Sequence, residues 1–196
     1  MSDFKRIPPC DNNKFSSAPW EFAVEPFRCA PHVWYVAGHS SVAVYMIDTG
    51  DGLILIDSGF VDTLYMLTES IRKIGYNPYD IKHIFISHGH FDHYDGATAL
   101  KKLTGAKIWC SKEDCYFSKI PRYPADVKVH PFVADACYED DQPITMGKIT
   151  IRTKLTPGHS PGTTSFFFDD TDDDTGVTYH VGMHGGVGSP HMSHAY

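Results

Sequence analysis

Residues 88–93 read H-G-H-F-D-H, three imidazoles and one carboxylate within six positions. These are the side chains that bind zinc at neutral pH, and at this spacing several of them can be aimed at one point. Surface histidines on a polar loop are the bland alternative, and their density argues against it. A second signal stands at residues 157–162, P-G-H-S-P-G, where His159 sits between two Pro-Gly steps in a tight turn. Taken alone, a solvent-facing turn histidine explains His159 equally well. Combined, His88, His90 and His159 supply three neutral imidazoles and leave one position open, the arrangement of a catalytic rather than a structural zinc. Asp92 and His93 point at a neighbouring position and are candidates to hold a second ion. A hydroxide held between two such ions is a nucleophile at neutral pH, and Asp92 is the candidate catalytic residue that orients it. The metal would polarise a substrate carbonyl and stabilise the oxyanion that forms.

The elements that must position these groups are legible around them. The apolar run I-K-H-I-F-I-S at residues 81–87 predicts a buried strand, and Ala97, Leu100 and Leu103 fall at helical spacing within 94–103. The ligands are therefore expected on a strand-to-helix turn. Upstream, 33–38 and 41–48 predict a hairpin, and L-I-L-I at 53–56 a short strand buried on both faces. That strand ends in D-S-G. A carboxylate closing an apolar strand is costly without a partner, so Asp57 is a candidate for supporting a metal ligand from behind, a helix N-cap being the alternative. Leu64, Leu67, Ile71 and Ile74 predict a helix over 61–74 with Gly75 as its C-cap. Further strands are expected at 106–110, 149–156, 163–168 and 177–181, and a helix at 111–118 capped by Ser111 with Glu113 and Asp114 in its first turn. Residues 121–138 are Pro-rich and irregular, a loop that can overhang the site. The acidic run D-D-T-D-D-D-T-G reads as a solvated hairpin tip, since it lacks the spaced ligands and distal Glu of a calcium loop.

Composition narrows the class. The chain has 196 residues, is 42% hydrophobic and carries a net charge of -7. One domain is expected over 26–196, preceded by an extended arm at 1–25 packed by Trp20 and Phe22. The acidic balance argues against nucleic-acid partners, which need a basic face. No apolar run reaches the ~20 residues of a membrane span. The first ten residues lack an apolar signal core, which points to the cytoplasm. Five cysteines with no C-x-x-C pair are expected as reduced thiols.

H-G-H-F-D-H resembles the H-x-H-x-D-H signature of the metallo-β-lactamase superfamily, and D-S-G at Asp57 and P-G-H-S-P-G at His159 resemble its other landmarks in the same order. The motifs P-F-R at 26–28, V-W-Y-V-A-G at 33–38 and P-G-H-S-P-G-T-T-S-F are most similar to the third subclass of metallo-β-lactamases. The resemblance implies an α+β fold, a four-layer αββα sandwich with the site at one edge. It also implies His88, His90 and His159 on a first zinc and Asp92 with His93 on a second. The implied activity is hydrolysis of a carbonyl-type bond in a small molecule, with β-lactams as the first substrate class. A lactonase, a glyoxalase-like thioesterase or a non-catalytic metal-binding remnant are the alternatives. Where many relatives carry a bridging Asp, this chain reads V-G-M-H-G-G, a departure the third subclass shares. The family's last ligand histidine, with the last strand and helix of the sandwich, is expected beyond residue 196. The second site is then incomplete unless His184, His191, His194 or a partner subunit fills it. An uncovered sheet edge would invite a homodimer.

Overall fold

The computed structural model describes residues 18–117, 129–140 and 142–187. Most of the N-terminal arm, residues 121–128 of the Pro-rich loop and the tail with His191 and His194 lie outside them. Within the described part of the arm, a 3-10 turn at Pro19–Phe22 buries Pro19 and leaves Trp20 63% exposed, so Trp20 does not pack as expected.

The first sheet runs β1 (Phe27–Ala30), β2 (Val33–Tyr35), β3 (Tyr45–Asp48), β4 (Leu53–Ile56), β5 (Ile81–Phe85), β6 (Lys107–Cys110), β7 (Ala136–Cys137), in that spatial order. Its first four strands are antiparallel and the last four parallel. The second sheet is antiparallel, in the order β11 (Thr178–Met183), β10 (Thr164–Thr171), β9 (Ile149–Leu155), β8 (Ile144–Met146). Helices α1 (Leu64–Lys73) and α3 (Ala97–Thr104) connect the parallel strands, while α2 (Phe91–Tyr94) and α4 (Lys112–Phe117) are single turns beside the site.

Alternation along β4 explains the layering. Leu53 and Leu55 face Leu67 and Ile71 of α1 and Leu100 of α3, while Ile54 and Ile56 face Ile149, Ile151, Phe166 and Phe168 of the second sheet. Each such fully buried side chain contributes about 1.5–3 kcal/mol. Along β9 and β10 alternate residues are exposed, and no helix covers that outer face among the described residues. Three of the four expected layers are thus in place. On the β11 side the sandwich gapes: a cleft of about 1020 Å³ is bordered by Tyr45, Ile47, Ile56, Phe168, Val181 and Met183.

The structure departs from the sequence reading at identifiable places. The strands β1, β7 and β8, of two to four residues, carry too little periodicity to be read. The helix expected over 94–103 starts at Ala97, and a separate helical turn, α2, precedes it. His90 is extended (φ −87°, ψ 143°) and accepts from the backbone N–H of His93, so Asp92 and His93 lie on the helical turn α2, not on a loop. The first residues of the acidic run belong to β10, and Asp170 is fully buried, accepting from the backbone N–H and ring Nδ1 of His32 at 2.8 and 2.6 Å. Only the rest of the run forms the solvated tip. The four described cysteines are unbridged.

Candidate metal centre

Parallel pairing sets the site. Register between β4 and β5 puts Ile56 beside Phe85, so the chain segments leaving the two strands, Asp57 and Ser87–His90, run side by side. The turn between β9 and β10 meets them, fixed by the Thr164 N–H donating to Ser87 O at 2.9 Å. That contact brings His159 to His88 and His90.

His88 is buried, with Nδ1 2.8 Å from Gly185 O and 3.0 Å from Ser87 Oγ. A carbonyl can only accept, so Nδ1 carries the proton and Nε2 keeps its lone pair. His88 Nε2 lies 3.1 Å from His159 Nε2, which is 3.0 Å from His90 Nδ1. Donor atoms of His88, His90 and His159 all fall within 4.8 Å of one another. A tetrahedral zinc with bonds of about 2.0–2.1 Å separates its ligand atoms by roughly 3.3 Å, so this donor set fits that ion. Burial, reinforced by the neighbouring imidazoles, pushes His88 down to about 2 and lowers His90. Both rings are therefore neutral, the form a metal requires.

The second cluster is only partly built. His93 donates Nδ1–H to Asp57 Oδ2 at 2.7 Å, and its Nε2 is 3.4 Å from Asp92 Oδ2. Burial opposes its charge, but the Asp57 and Asp92 carboxylates outweigh that and push His93 up to about 10. His93 is thus a cation clamped between two carboxylates, and an ion beside Asp92 would displace its Nε2 proton. His184 does not complete this pair. It is exposed, its Nδ1 accepts from the Gly186 N–H, and it belongs to no three-residue donor group among the described residues. The expectation for His184 as a ligand gains no support from this arrangement; the groups seen against the histidines are Gly185 O at His88 and Gly186 at His159.

Asp57 stands behind His93, one of the candidate ligands. Fully buried at φ 66°, it accepts from Ser87 N and Ser87 Oγ, each at 2.7 Å, and from His93. It caps no helix. Three supports were not legible. Gly185 O fixes the His88 tautomer. A Cβ on Gly186 would lie 2.7 Å from His159 Cδ2, so this glycine backs the ring directly. Asp114, read as a helix-dipole residue, is fully buried against both ligand turns. His39, by contrast, is a core histidine, bonded to Thr63 Oγ1 at 3.0 Å and to Ser41.

Two expected outcomes follow from the geometry. A Cβ added to Gly162 would lie 2.7 Å from Asp114 N and closer still to Ser111 Oγ, colliding with both. Gly162→Ala should lower stability by about 1–3 kcal/mol in urea unfolding. The pH response of the metal-free protein has opposite signs at the two clusters. His88 is held below 6.5, so on acidification the unfolded chain takes up a proton that the fold refuses and stability falls. His93 is held above 6.5, so its contribution is complete below that pH and is lost as pH rises through about 10. Between them these groups place the stability maximum about pH 6–7, and unfolding at pH 5, 6.5 and 9 checks it.

The chain matches the model of the metallo-beta-lactamase superfamily over residues 37–189. It belongs to that superfamily. Among solved structures it is similar to BJP-1, a subclass B3 metallo-beta-lactamase of Bradyrhizobium japonicum, at TM-score 0.78 and 31% identity, covering 87% of this chain and 66% of that one. The native FEZ-1 metallo-beta-lactamase from Legionella gormanii gives 0.75 and 31%, with 84% and 64% covered. Among curated proteins, an N-acyl homoserine lactonase of Bacillus thuringiensis is 27% identical over 150 residues, 64% of this chain and 57% of that one. A beta-lactamase-like protein 2 homolog of Drosophila melanogaster is 26% identical over 141 residues. The chain spans about half the length of these curated relatives, 44% and 57%. No helix among the described residues is long and apolar enough to cross a membrane.

Proposed function

We propose that this protein is a zinc-dependent hydrolase of carbonyl-type bonds, with β-lactams as its substrate class. The observation that carries the reading is the convergence of His88, His90 and His159, with the His88 tautomer fixed by Gly185 O. Bound zinc supplies a water acidified to about neutral pKa and a Lewis acid for the carbonyl. The rest falls to the chain. His88 Nε2, His90 Nδ1 and His159 Nε2 would hold the ion. Asp92, with a third of its side-chain surface open, would orient the attacking water or hydroxide through a hydrogen bond at Oδ. Asp57 fixes the ring of His93, which with Asp92 forms one side of a second ion's place. Substrate choice draws on the subclass B3 neighbours at 31% identity, while the lactonase relative supports ring-opening of a lactone as the second reading.

Assays of zinc-replete protein with nitrocefin, an N-acyl homoserine lactone and lactonoyl-glutathione separate the readings. Turnover of nitrocefin that a chelator removes is expected; preference for the lactone or thioester reassigns the substrate, and inertness toward all three would reject the hydrolase. The open cleft and the exposed edge of β11, with Tyr179 49% exposed, argue for a homodimer in solution. Light scattering should return twice the chain mass, and a monodisperse monomer would contradict it.

A further inference from the structure

We propose that Asp114 is a positioning residue for the metal centre, one carboxylate that locks the two ligand-bearing turns to each other. Its Oδ2 accepts from Gly89 N and from Ser160 Oγ, each at 2.6 Å, and its Oδ1 accepts from Gly162 N at 2.9 Å. Gly89 lies between His88 and His90, and Ser160 directly follows His159. The two turns come from β5–α2 and β9–β10, elements about seventy residues apart in sequence. Asp114 stands on a third, the first turn of α4, where Ser111 Oγ accepts from its own N–H at 3.2 Å. It is fully buried, and among the described residues no lysine or arginine forms an ion pair with it. A buried carboxylate is tolerated only when its lone pairs are satisfied, and here the donors that satisfy them are the backbone and hydroxyl groups flanking the three imidazoles.

Geometry gives the consequence. Three nitrogens within 4.8 Å form a metal site only if the turns keep their separation to a few tenths of an ångström, and polar contacts behind metal ligands typically account for 10- to 100-fold, roughly, in metal affinity. Close packing at Gly162 and the short contact to Gly89 leave no room for a longer acid, so a glutamate would not substitute.

This inference rests on His88, His90 and His159 being metal ligands, and the test separates the two claims. Cobalt(II), which reports ligand geometry through its visible absorption, is titrated into metal-free wild type, Asp114→Asn and Ser160→Ala. The amide of Asp114→Asn keeps the shape but must turn an NH2 toward at least one donor. We expect cobalt affinity to drop on the order of 10- to 100-fold with shifted visible bands, and a smaller drop for Ser160→Ala, which loses one of the three contacts. A role confined to folding would lower the unfolding midpoint of the metal-free variants but leave the affinity and bands of the folded protein as in wild type; that result overturns the proposal. If Asp114→Asn does not fold, Ser160→Ala carries the same comparison. Wild type that binds no cobalt would overturn the metal site itself, and the proposal with it.

Discussion

Replacing His88 and His90 together by Ala is expected to abolish zinc binding and to reduce hydrolysis by at least about a thousandfold, because water without the ion keeps a pKa of about 15.7. The loss is not graded, since His159 alone offers a single imidazole and Asp92 with the Nε2 of His93 makes only one side of a second ion's place. His88 also donates to Gly185 O, and leaving that buried carbonyl unpaired costs about 1–3 kcal/mol. The double variant should therefore melt lower yet remain folded, and circular dichroism beside metal analysis separates the two effects. Turnover equal to wild type would remove these histidines from the mechanism.

Asp57→Asn is expected to have the next largest effect, on stability and on the second ion's place rather than on the first. Asn tolerates the left-handed backbone at φ 66°, so the change tests charge and hydrogen bonding, not backbone strain. The Asp57 carboxylate accepts three donors, two from Ser87 and one from His93. An amide cannot receive all three, and an unpaired buried donor costs about 1–3 kcal/mol. The pH signature distinguishes this from simple packing loss. Asp57 holds the His93 proton up to about 10; the variant frees it nearer 6.5, so the stability gap between the two metal-free proteins is widest at pH 6 and narrows as pH rises toward 10. Denaturant unfolding at both pH values measures it, and a gap independent of pH would assign Asp57 to packing alone.

The contrast between what the sequence revealed and what it hid is physical. His88, His90, Asp92 and His93 are neighbours in the chain, and a local run of donors is visible without a fold. His159 was legible because its turn is pinned by prolines and glycines, and Asp57 because a carboxylate ending L-I-L-I is costly unless occupied. The supports behind them act across long sequence separations. Asp114 sits in a helical first turn, where an acid is expected on dipole grounds alone, and nothing local says that it meets Gly89 and Gly162. Gly185 acts through its carbonyl, which every residue has. His184 drew notice as a donor type, but it is exposed and lies outside the three-histidine donor group. The pairing of His32 with Asp170 was hidden in the same way, inside an acidic run that reads as solvated. In the fold, the period-2 pattern and the helical face of Leu67 and Ile71 marked individual strands and α1, while the layered arrangement was implied only by the family resemblance. Strands as short as Ala136–Cys137 exist because β6 offers them an edge, a tertiary fact.

X-ray absorption at the zinc edge of protein loaded with one equivalent tests the central claim most directly. Three imidazole nitrogens and one oxygen at about 2.0–2.1 Å are the expected shell, and the signal should vanish in the His88→Ala/His90→Ala protein. A shell containing sulfur at about 2.3 Å, or no bound zinc, would contradict it.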